Sequence, residues 1–118
     1  MSESKPTQNV VTASRREGTA VVVSVRGEID LHNSPELRAR MLQLLNEGNL
    51  KKLILNLAEV PYMDSSAIAV LVEGLQKLRK TGGVICLTNL QLRVKGLLEI
   101  ARLNTIFQVF KDEADALK

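Results

Sequence analysis

Residues 53–80 read LILNLAEVPYMDSSAIAVLVEGLQKLRK, and the fold class is predicted most directly from this segment. The apolar run 53–57 is short and rich in branched side chains, which predicts a buried strand. Residues 58–63 contain a proline and predict a loop. Asp64 then opens a helix whose inner face we expect to begin at Ile68, because apolar residues recur from there at helical spacing. A buried strand, a loop and an amphipathic helix in this order are typical of an α/β protein.

Two hydroxyl side chains, Ser65 and Ser66, follow Asp64 at the start of this helix. Unpaired backbone N–H groups and the positive end of the helix dipole favour an anion there. We therefore expect a phosphate on Ser65 to be exposed and tolerated, which indicates a phosphorylation switch rather than an enzyme. Asp64 has two compatible roles: an N-cap that accepts from the N–H of Ser66 or Ala67, and a group that contacts a partner or orients Ser65. Ser66 is interpreted as a capping or contact residue.

Strand and helix patterns alternate along the rest of the chain, which predicts an α/β or α+β layer with parallel crossovers. The other predicted strands are Val10–Ser14, Ala20–Arg26, Val84–Leu87 and Thr105–Phe110, with a brief one over Glu28–Asp30. The other predicted helices begin at Ser34, run over Gln91–Ala101 with Ala101 facing inward, and run over Asp112–Leu117.

Helix ends carry signals of their own. Ser34 is the predicted N-cap of the first helix, Pro35 its first residue, and Gly48 the residue that ends it from the C′ position. Gly74 lies inside the second helix and costs about 1 kcal/mol relative to Ala. A close approach of another backbone would explain a glycine at that position.

The composition limits the classes of function. The chain has 118 residues, which fits one domain with a core of modest size. Aromatic residues make up 3 % and Trp is absent, which argues against a base-stacking platform for nucleic acid. The net charge of +3 fits an ordinary solvated surface, so we expect no direct contact with nucleic acid.

The N-terminal residues, the lengths of the apolar runs and the single cysteine predict the cellular compartment. Residues 1–9 are polar and lack the apolar core of a signal peptide, so we expect a disordered N-terminal tail before a domain over residues 10–118. No apolar run is long enough to span a bilayer, and we expect no membrane contact. Cys86 is the only cysteine, which excludes an internal disulfide and fits a reducing compartment. These features predict a cytoplasmic protein.

Few side chains are available for catalysis or metal binding. His32 is the only histidine, and together with Cys86 it supplies too few ligands for a zinc site. The G-x-S-x-G elbow of a Ser-His-Asp hydrolase is absent around Ser65. Residues 81–83, Thr-Gly-Gly, lack the ending of a phosphate-binding loop and fit a helix C-terminus. We expect neither catalysis nor a cofactor.

Five segments together match one known pattern. The most specific is 60–67, Val-Pro-Tyr-Met-Asp-Ser-Ser-Ala, between its strand and its helix; the others are Gly27–Asp30, Leu55–Leu57, Lys80–Gly83 and Leu97–Leu103, which leads into Phe107. In these segments the chain resembles the STAS domain family, and within it the small bacterial anti-sigma factor antagonists. The resemblance covers nearly the whole chain. It implies a single-domain STAS fold of the α/β class, with a mixed central β-sheet and about four helices packed mainly on one face.

This resemblance also implies a modification and its partners. Ser65 matches the serine that an anti-sigma factor with serine kinase activity phosphorylates, and a PP2C-type phosphatase would remove the phosphate. The unphosphorylated protein would bind the anti-sigma factor and so release a sigma factor. The implied partner-binding residues are Asp30, Asp64, Ser65, Ser66 and Ala67.

The sequence leaves alternatives open. Asp30 is either a turn residue or, with Glu28 and Asn33, part of a docking surface. Ala67 and Ala69 occupy positions where many antagonists have Gly, and both are small enough for close docking of a partner. The methyl group of Ala67 lies beside the acceptor hydroxyl in sequence, so it would affect the fit of Ser65 into a kinase cleft. The same fold also serves as a scaffold of a stress-signalling assembly and as an accessory subunit of a lipid-transport ABC system. A homodimer is compatible with all of these functions.

Overall fold

The computed structural model describes residues 10–118, and the tail predicted over residues 1–9 lies outside the described residues. Within residues 10–118, strands and helices follow one another in the predicted order. The strands are β1 (Val11–Glu17), β2 (Ala20–Arg26), β3 (Lys52–Glu59), β4 (Val84–Thr88) and β5 (Gln108–Phe110). The helices are α1 (Ser34–Asn46), α2 (Ser65–Arg79), α3 (Leu92–Ile100) and α4 (Glu113–Leu117), with one 3-10 turn at Leu103–Thr105.

The strands form one sheet in the order β1-β2-β3-β4-β5. β1 runs antiparallel to β2, whereas β2, β3, β4 and β5 run parallel to one another. Each parallel pair is joined through a helix, because parallel strands require a crossover connection. The predicted mixed sheet of the α/β class is confirmed. The carboxyl ends of the parallel strands all lie at one edge of this sheet.

Both faces of the sheet are covered. Leu53, Leu55 and Leu57 of β3 point into the larger core, which α1, α2 and α3 cover. Ile54 points to the other face and packs with Ala116 of α4. Burial on both faces explains why β3 is almost continuously apolar rather than alternating. Three of the four helices of the described chain lie on one face, in agreement with the expected arrangement.

Strand boundaries differ from the prediction. β1 continues to Glu17 instead of ending at Ser14, because its charged residues still pair with β2 at the edge of the sheet. The strand predicted over Glu28–Asp30 is reduced to a single parallel bridge between Ile29 and Met63. β5 begins later than predicted because a 3-10 turn precedes it.

Helix boundaries need corrections too. The N-cap residue of α1 is Asn33, and Ser34 is instead the first helical residue, with a buried side chain. Gly48 follows the end of α1 with a φ of 80°, as predicted for the C′ position. The inner face of α2 begins at Ala67, one residue earlier than predicted. Ala101, expected to face inward, is exposed just after α3.

Gly74 lies where α2 packs on its neighbours. The side chains of Met41 in α1 and Ile85 in β4 occupy the space around the position of a Cβ atom at this residue. The expectation of another backbone at this position is therefore wrong, since side chains fill it. Nearby, the Arg38 Nε atom of α1 lies 2.6 Å from a carboxylate oxygen of Glu73, which pairs α1 with α2 on the outside.

Candidate phosphoacceptor site

Two loops form the candidate site at the carboxyl edge of the sheet. The loop after β2 (residues 27–33) and the loop after β3 (residues 60–64) lie side by side, because β2 and β3 are parallel neighbours. The Ile29 N–H donates to the Tyr62 carbonyl at 3.0 Å, and the Asp64 N–H donates to the Ile29 carbonyl at 3.0 Å. These bonds fix one loop against the other immediately before α2 begins.

The Asp64 carboxylate holds this junction together. Its Oδ1 atom accepts from the backbone N–H of Ser66 at 2.9 Å and of Ala67 at 3.3 Å, which confirms the predicted N-cap. Its Oδ2 atom accepts from the Leu31 N–H at 3.1 Å, across to the other loop. The hydrogen bond from the Ser66 hydroxyl, with help from these backbone donors, holds the pKa of the Asp64 carboxyl below its ordinary value, although desolvation acts against it.

The first turn of α2 offers an anion fewer free donors than the sequence alone suggests. The N–H groups of Ser66 and Ala67 already donate to Asp64, and the Ile68 N–H donates to the Asp64 carbonyl at 3.1 Å. A phosphate on Ser65 therefore gains from the helix dipole but does not gain these hydrogen bonds. The expected preference for an anion therefore rests mainly on the helix dipole, since three of the N–H groups at the start of α2 already have acceptors.

Ser65 and Ser66 differ in how their hydroxyls are held. Ser66 is half-buried, and its hydroxyl donates to Oδ1 of Asp64 at 2.5 Å. Ser65 is exposed, and within residues 10–118 no group forms a hydrogen bond with its hydroxyl. Of the two serines, only Ser65 presents a hydroxyl that a second protein can reach without breaking a bond.

Ala67 and Ala69 face opposite ways. Ala67 is fully buried, with 0 % of its surface exposed, so its side chain offers nothing to a partner. The prediction of Ala67 as a partner contact is wrong for that reason, and its methyl group points into the core instead of crowding the Ser65 hydroxyl. Ala69 is exposed, one helical turn beyond Ser65 on the same face of α2.

Asp30 shapes the neighbouring loop. Its Oδ1 atom accepts from the N–H of His32 at 2.9 Å and of Asn33 at 3.2 Å. In return, the Asp30 N–H donates to Oδ1 of Asn33 at 2.8 Å. These are the bonds of an Asx turn, so the structure supports the interpretation of Asp30 as a turn residue. Its half-buried carboxylate lies beside Asp64 along a shallow depression.

Leu31 and His32 are the residues that sequence reasoning missed at this site. Both are exposed, and with Asp30 and Asp64 they line the shallow depression. Leu31 is 76 % exposed, although it is a large apolar side chain. The signal was available in the sequence, since Leu31 is the single apolar residue between Asp30 and the start of α1. A single exposed apolar residue is ordinary on a protein surface, so it is the position of Leu31 beside Asp30 and Asp64 that makes it a candidate contact residue.

The STAS domain family model matches residues 11–116, and this chain belongs to the STAS domain family. The resemblance seen in the sequence is confirmed. An anti-sigma-B factor antagonist of Bacillus subtilis (strain 168) is 31 % identical over 101 residues, which cover 86 % of this chain and 91 % of the relative.

Solved structures give the same fold. The anti-sigma factor antagonist SpoIIAA in its unphosphorylated form superposes with a TM-score of 0.71 at 18 % identity, covering 89 % of this chain and 91 % of that chain. The phosphorylated form of the Bacillus cell fate determinant SpoIIAA superposes with a TM-score of 0.71 at 20 % identity, covering 91 % and 96 %. Among residues 10–118, no helix combines the length and apolarity that crossing a membrane requires.

Proposed function

We propose that this protein is an anti-sigma factor antagonist whose partner binding is switched by phosphorylation of Ser65. The unphosphorylated form binds an anti-sigma factor with serine kinase activity, and a sigma factor is released in the cytoplasm. The phosphorylated form does not bind, and a PP2C-type phosphatase restores the binding form. The observation that carries this proposal is the exposed, unbonded hydroxyl of Ser65 between two residues, Asp64 and Ser66, that are bonded to each other. Family membership and the names of the relatives support the class of partner.

A phosphate on Ser65 changes charge rather than fold. It adds about −1.5 to −2 charges at pH 7. The helix dipole stabilises a nearby anion by roughly 0.3–1 kcal/mol, whereas the carboxylate of Asp64 repels it. Because Asp64 already accepts from the N–H groups of Ser66 and Ala67 and Ser65 is exposed, we expect the phosphate to project into solvent and to leave the backbone unchanged. That SpoIIAA has been solved with the same fold in both forms supports this expectation.

The same phosphate opposes binding of the anti-sigma factor. The contact surface that we assign to the partner consists of Leu31, His32, Ser65 and Ala69, which are exposed around the start of α2. A dianion in the middle of this surface would be desolvated without a matched cation, which costs several kcal/mol when a partner closes over it. The switch therefore acts at the interface. An exposed phosphate also remains open to a phosphatase.

The acceptor is tested by intact mass after incubation with ATP and the anti-sigma kinase of the same organism. We expect one addition of about 80 Da in the wild type and in Ser66→Ala, and none in Ser65→Ala. Ser66→Ala is the matched control, because it removes a hydroxyl one residue away. If the addition were lost in Ser66→Ala but not in Ser65→Ala, Ser66 would be the phosphorylated residue instead. No addition in any variant with an active kinase would count against the switch.

Binding is tested by calorimetry against the same anti-sigma factor. We expect Ser65→Glu to weaken the affinity at least about tenfold, or roughly 1.4 kcal/mol, and Leu31→Ala to weaken it by a similar factor. Asn104→Asp adds one negative charge at an exposed position in the 3-10 turn and should leave the affinity unchanged. Equal effects of Ser65→Glu and Asn104→Asp would show that net charge, and not the site, controls binding.

A further inference from the structure

The start of α3 contacts the loop that leads to Ser65. β4 is the parallel neighbour of β3, so the helix that follows β4 begins at the same edge of the sheet as residues 60–64. The Arg93 guanidinium lies 4.9 Å from the centre of the Tyr62 ring in that loop. The loop therefore has a neighbour on each side, residues 27–33 on one and the first turn of α3 on the other.

The exposed guanidinium of Arg93 is held in place without an acidic partner among residues 10–118. Arg38, by contrast, donates to both carboxylate oxygens of Glu73, at 2.6 and 2.8 Å, so its donors already have acceptors. The cation–π contact with Tyr62 restricts the Arg93 side chain but supplies no carboxylate. An arginine restricted in this way loses less conformational entropy when it binds a carboxylate from another molecule.

Charges of opposite sign flank the phosphoacceptor loop. Residues 27–33 contain two acidic side chains, Glu28 and Asp30, and neither Lys nor Arg. Residues 89–95 contain two basic side chains, of which Arg93 is one, and no acidic side chain. A protein that covers the loop between them therefore meets negative charge on one side and positive charge on the other. Such a pattern fixes the orientation in which a partner of complementary charge docks.

Of the two basic residues, only Arg93 contacts the phosphoacceptor loop. Arg93 and Lys95 are both exposed, and a separation of two residues places them on opposite flanks of α3. Arg93 stacks on Tyr62, whereas Lys95 lines a groove together with Val109 of β5. Lys95 therefore provides a matched control, with the same charge on the same helix but on the side away from the loop.

We infer that Arg93 is a specificity-determining residue that binds a carboxylate of the anti-sigma factor, so that the contact surface extends from Ser65 across Tyr62 to the start of α3. The inference rests on the proposed function, since it names a further contact of the same partner at the same site. A carboxylate fits the guanidinium because two parallel N–H···O bonds can form. A phosphate on Ser65 would repel this carboxylate, which agrees with the proposed direction of the switch.

Calorimetry with the full chain and the anti-sigma kinase of the same organism measures the contribution of Arg93. We expect Arg93→Glu to weaken the affinity at least about tenfold, because it places two carboxylates opposite each other. Lys95→Glu makes the same change in net charge on the other flank of α3 and should change the affinity less than about twofold at about 0.15 M salt. Equal losses in the two variants, or no loss in Arg93→Glu, would overturn the inference.

Two further variants separate the stacked guanidinium from its charge. Arg93→Lys keeps the charge but lacks the planar fork, so its affinity should lie between those of the wild type and Arg93→Ala. Tyr62→Leu removes the ring and should weaken binding less than Arg93→Ala does. The double variant Tyr62→Leu with Arg93→Ala should bind no more weakly than Arg93→Ala alone, because the ring acts through the arginine. Losses that add in the double variant would contradict this role of Tyr62.

An exchange of charges between the two proteins identifies the group that Arg93 binds. The exposed Asp and Glu residues of the anti-sigma kinase are changed to Lys one at a time, and each variant is titrated with Arg93→Glu. One of them should bind Arg93→Glu at least about tenfold more tightly than the unchanged kinase does, because opposite charges meet again. Failure of every exchange would show that the group bound by Arg93 is not a carboxylate of this partner.

Phosphorylation kinetics separate this inference from the proposed function. With the same kinase and ATP, we expect Arg93→Glu to show a KM at least about tenfold higher than that of the wild type and an unchanged kcat, because the acceptor hydroxyl is intact and only docking is weakened. An unchanged KM, in an assay where the wild type is phosphorylated on Ser65, would overturn the inference alone. A wild type that an active kinase does not phosphorylate would instead overturn the proposed function.

Discussion

Helices α2 and α3 pack on the same face of the sheet but begin differently. α2 begins with a side-chain cap, the carboxylate of Asp64. The residue before α3, Gln91, forms no capping bond, and its side-chain amide donates to the Ala58 carbonyl at 2.8 Å instead. Of these two helices, only α2 has a carboxylate at its start, and this carboxylate bonds both to the first turn of the helix and to the neighbouring loop. These bonds keep the Ser65 hydroxyl in a defined and exposed position.

The two helices also differ in the use of glycine. Gly74 of α2 is buried against side chains of α1 and β4, whereas Gly96 of α3 faces outward with open space beside it. At Gly74 the end of the Met41 side chain lies where a Cβ atom would be, whereas no atom lies near that position at Gly96. α2 thus contributes both to the interior and to the phosphoacceptor site, while the side of α3 at Gly96 is left open by the rest of the described chain. Substitutions at matched positions in the two helices test this difference.

The largest expected effect is at Gly74. Gly74→Val forces added methyl groups into the space that Met41 and Ile85 fill, and we expect the free energy of unfolding to fall by about 1–3 kcal/mol. Gly96→Val is the matched control, and it should change this free energy by less than about 0.5 kcal/mol, because the position is open. Urea unfolding measures both. Equal losses in the two variants would remove the contrast between the two faces.

The next effect is the loss of the cap. Asp64→Ala removes the bonds to the first turn of α2 and to the Leu31 N–H, and we expect the melting temperature to fall by several degrees. Asp64→Asn should lose less, because Asn is also a good N-cap. Gln91→Ala, before α3, should have little effect on the helix, since Gln91 does not cap it. A larger loss for Gln91→Ala would contradict the difference between the two helix starts.

A pH dependence should accompany the cap. The fold lowers the pKa of Asp64, so the ionised carboxylate is favoured in the folded state. The stabilisation is fully present above the unfolded pKa of about 3.9 and is lost as the pH falls through the lower folded pKa. The difference in stability between the wild type and Asp64→Asn should therefore shrink in acid. Unfolding curves at pH 7 and at lower pH measure it, and a difference that grows in acid would contradict the assigned sign.

The smallest effect has the opposite sign. Gly96→Ala should raise the free energy of unfolding by about 0.5–1 kcal/mol, because Ala is the better helix former and its methyl group meets no atom of the chain. A loss of stability would show that the outer face of α3 is constrained from within.

Local patterns predicted much of the candidate site. The position of Asp64 before a periodic apolar run was enough to predict its capping role, since a cap bonds only to the next two or three residues. The start of α1 was not predictable in the same way, because Asn33 and Ser34 are both good caps. Asn33 takes the position since its side chain accepts from the Asp30 N–H at 2.8 Å and donates to the Glu28 carbonyl at 2.7 Å. Which residue is the N-cap therefore depends on the conformation of the loop of residues 27–33.

Strand β3, the helix that follows it and the serine that opens this helix could be predicted from local sequence, because each depends on residues within a turn or two of one another. The position of Leu31 beside Asp64 could not, since this contact requires β2 and β3 to be parallel neighbours in the folded chain. The burial of Ala67 and the exposure of Ser65 likewise depend on the folded chain. The rotation of α2 against the sheet sets which residues face the core, and that rotation is fixed by packing rather than by helical periodicity alone.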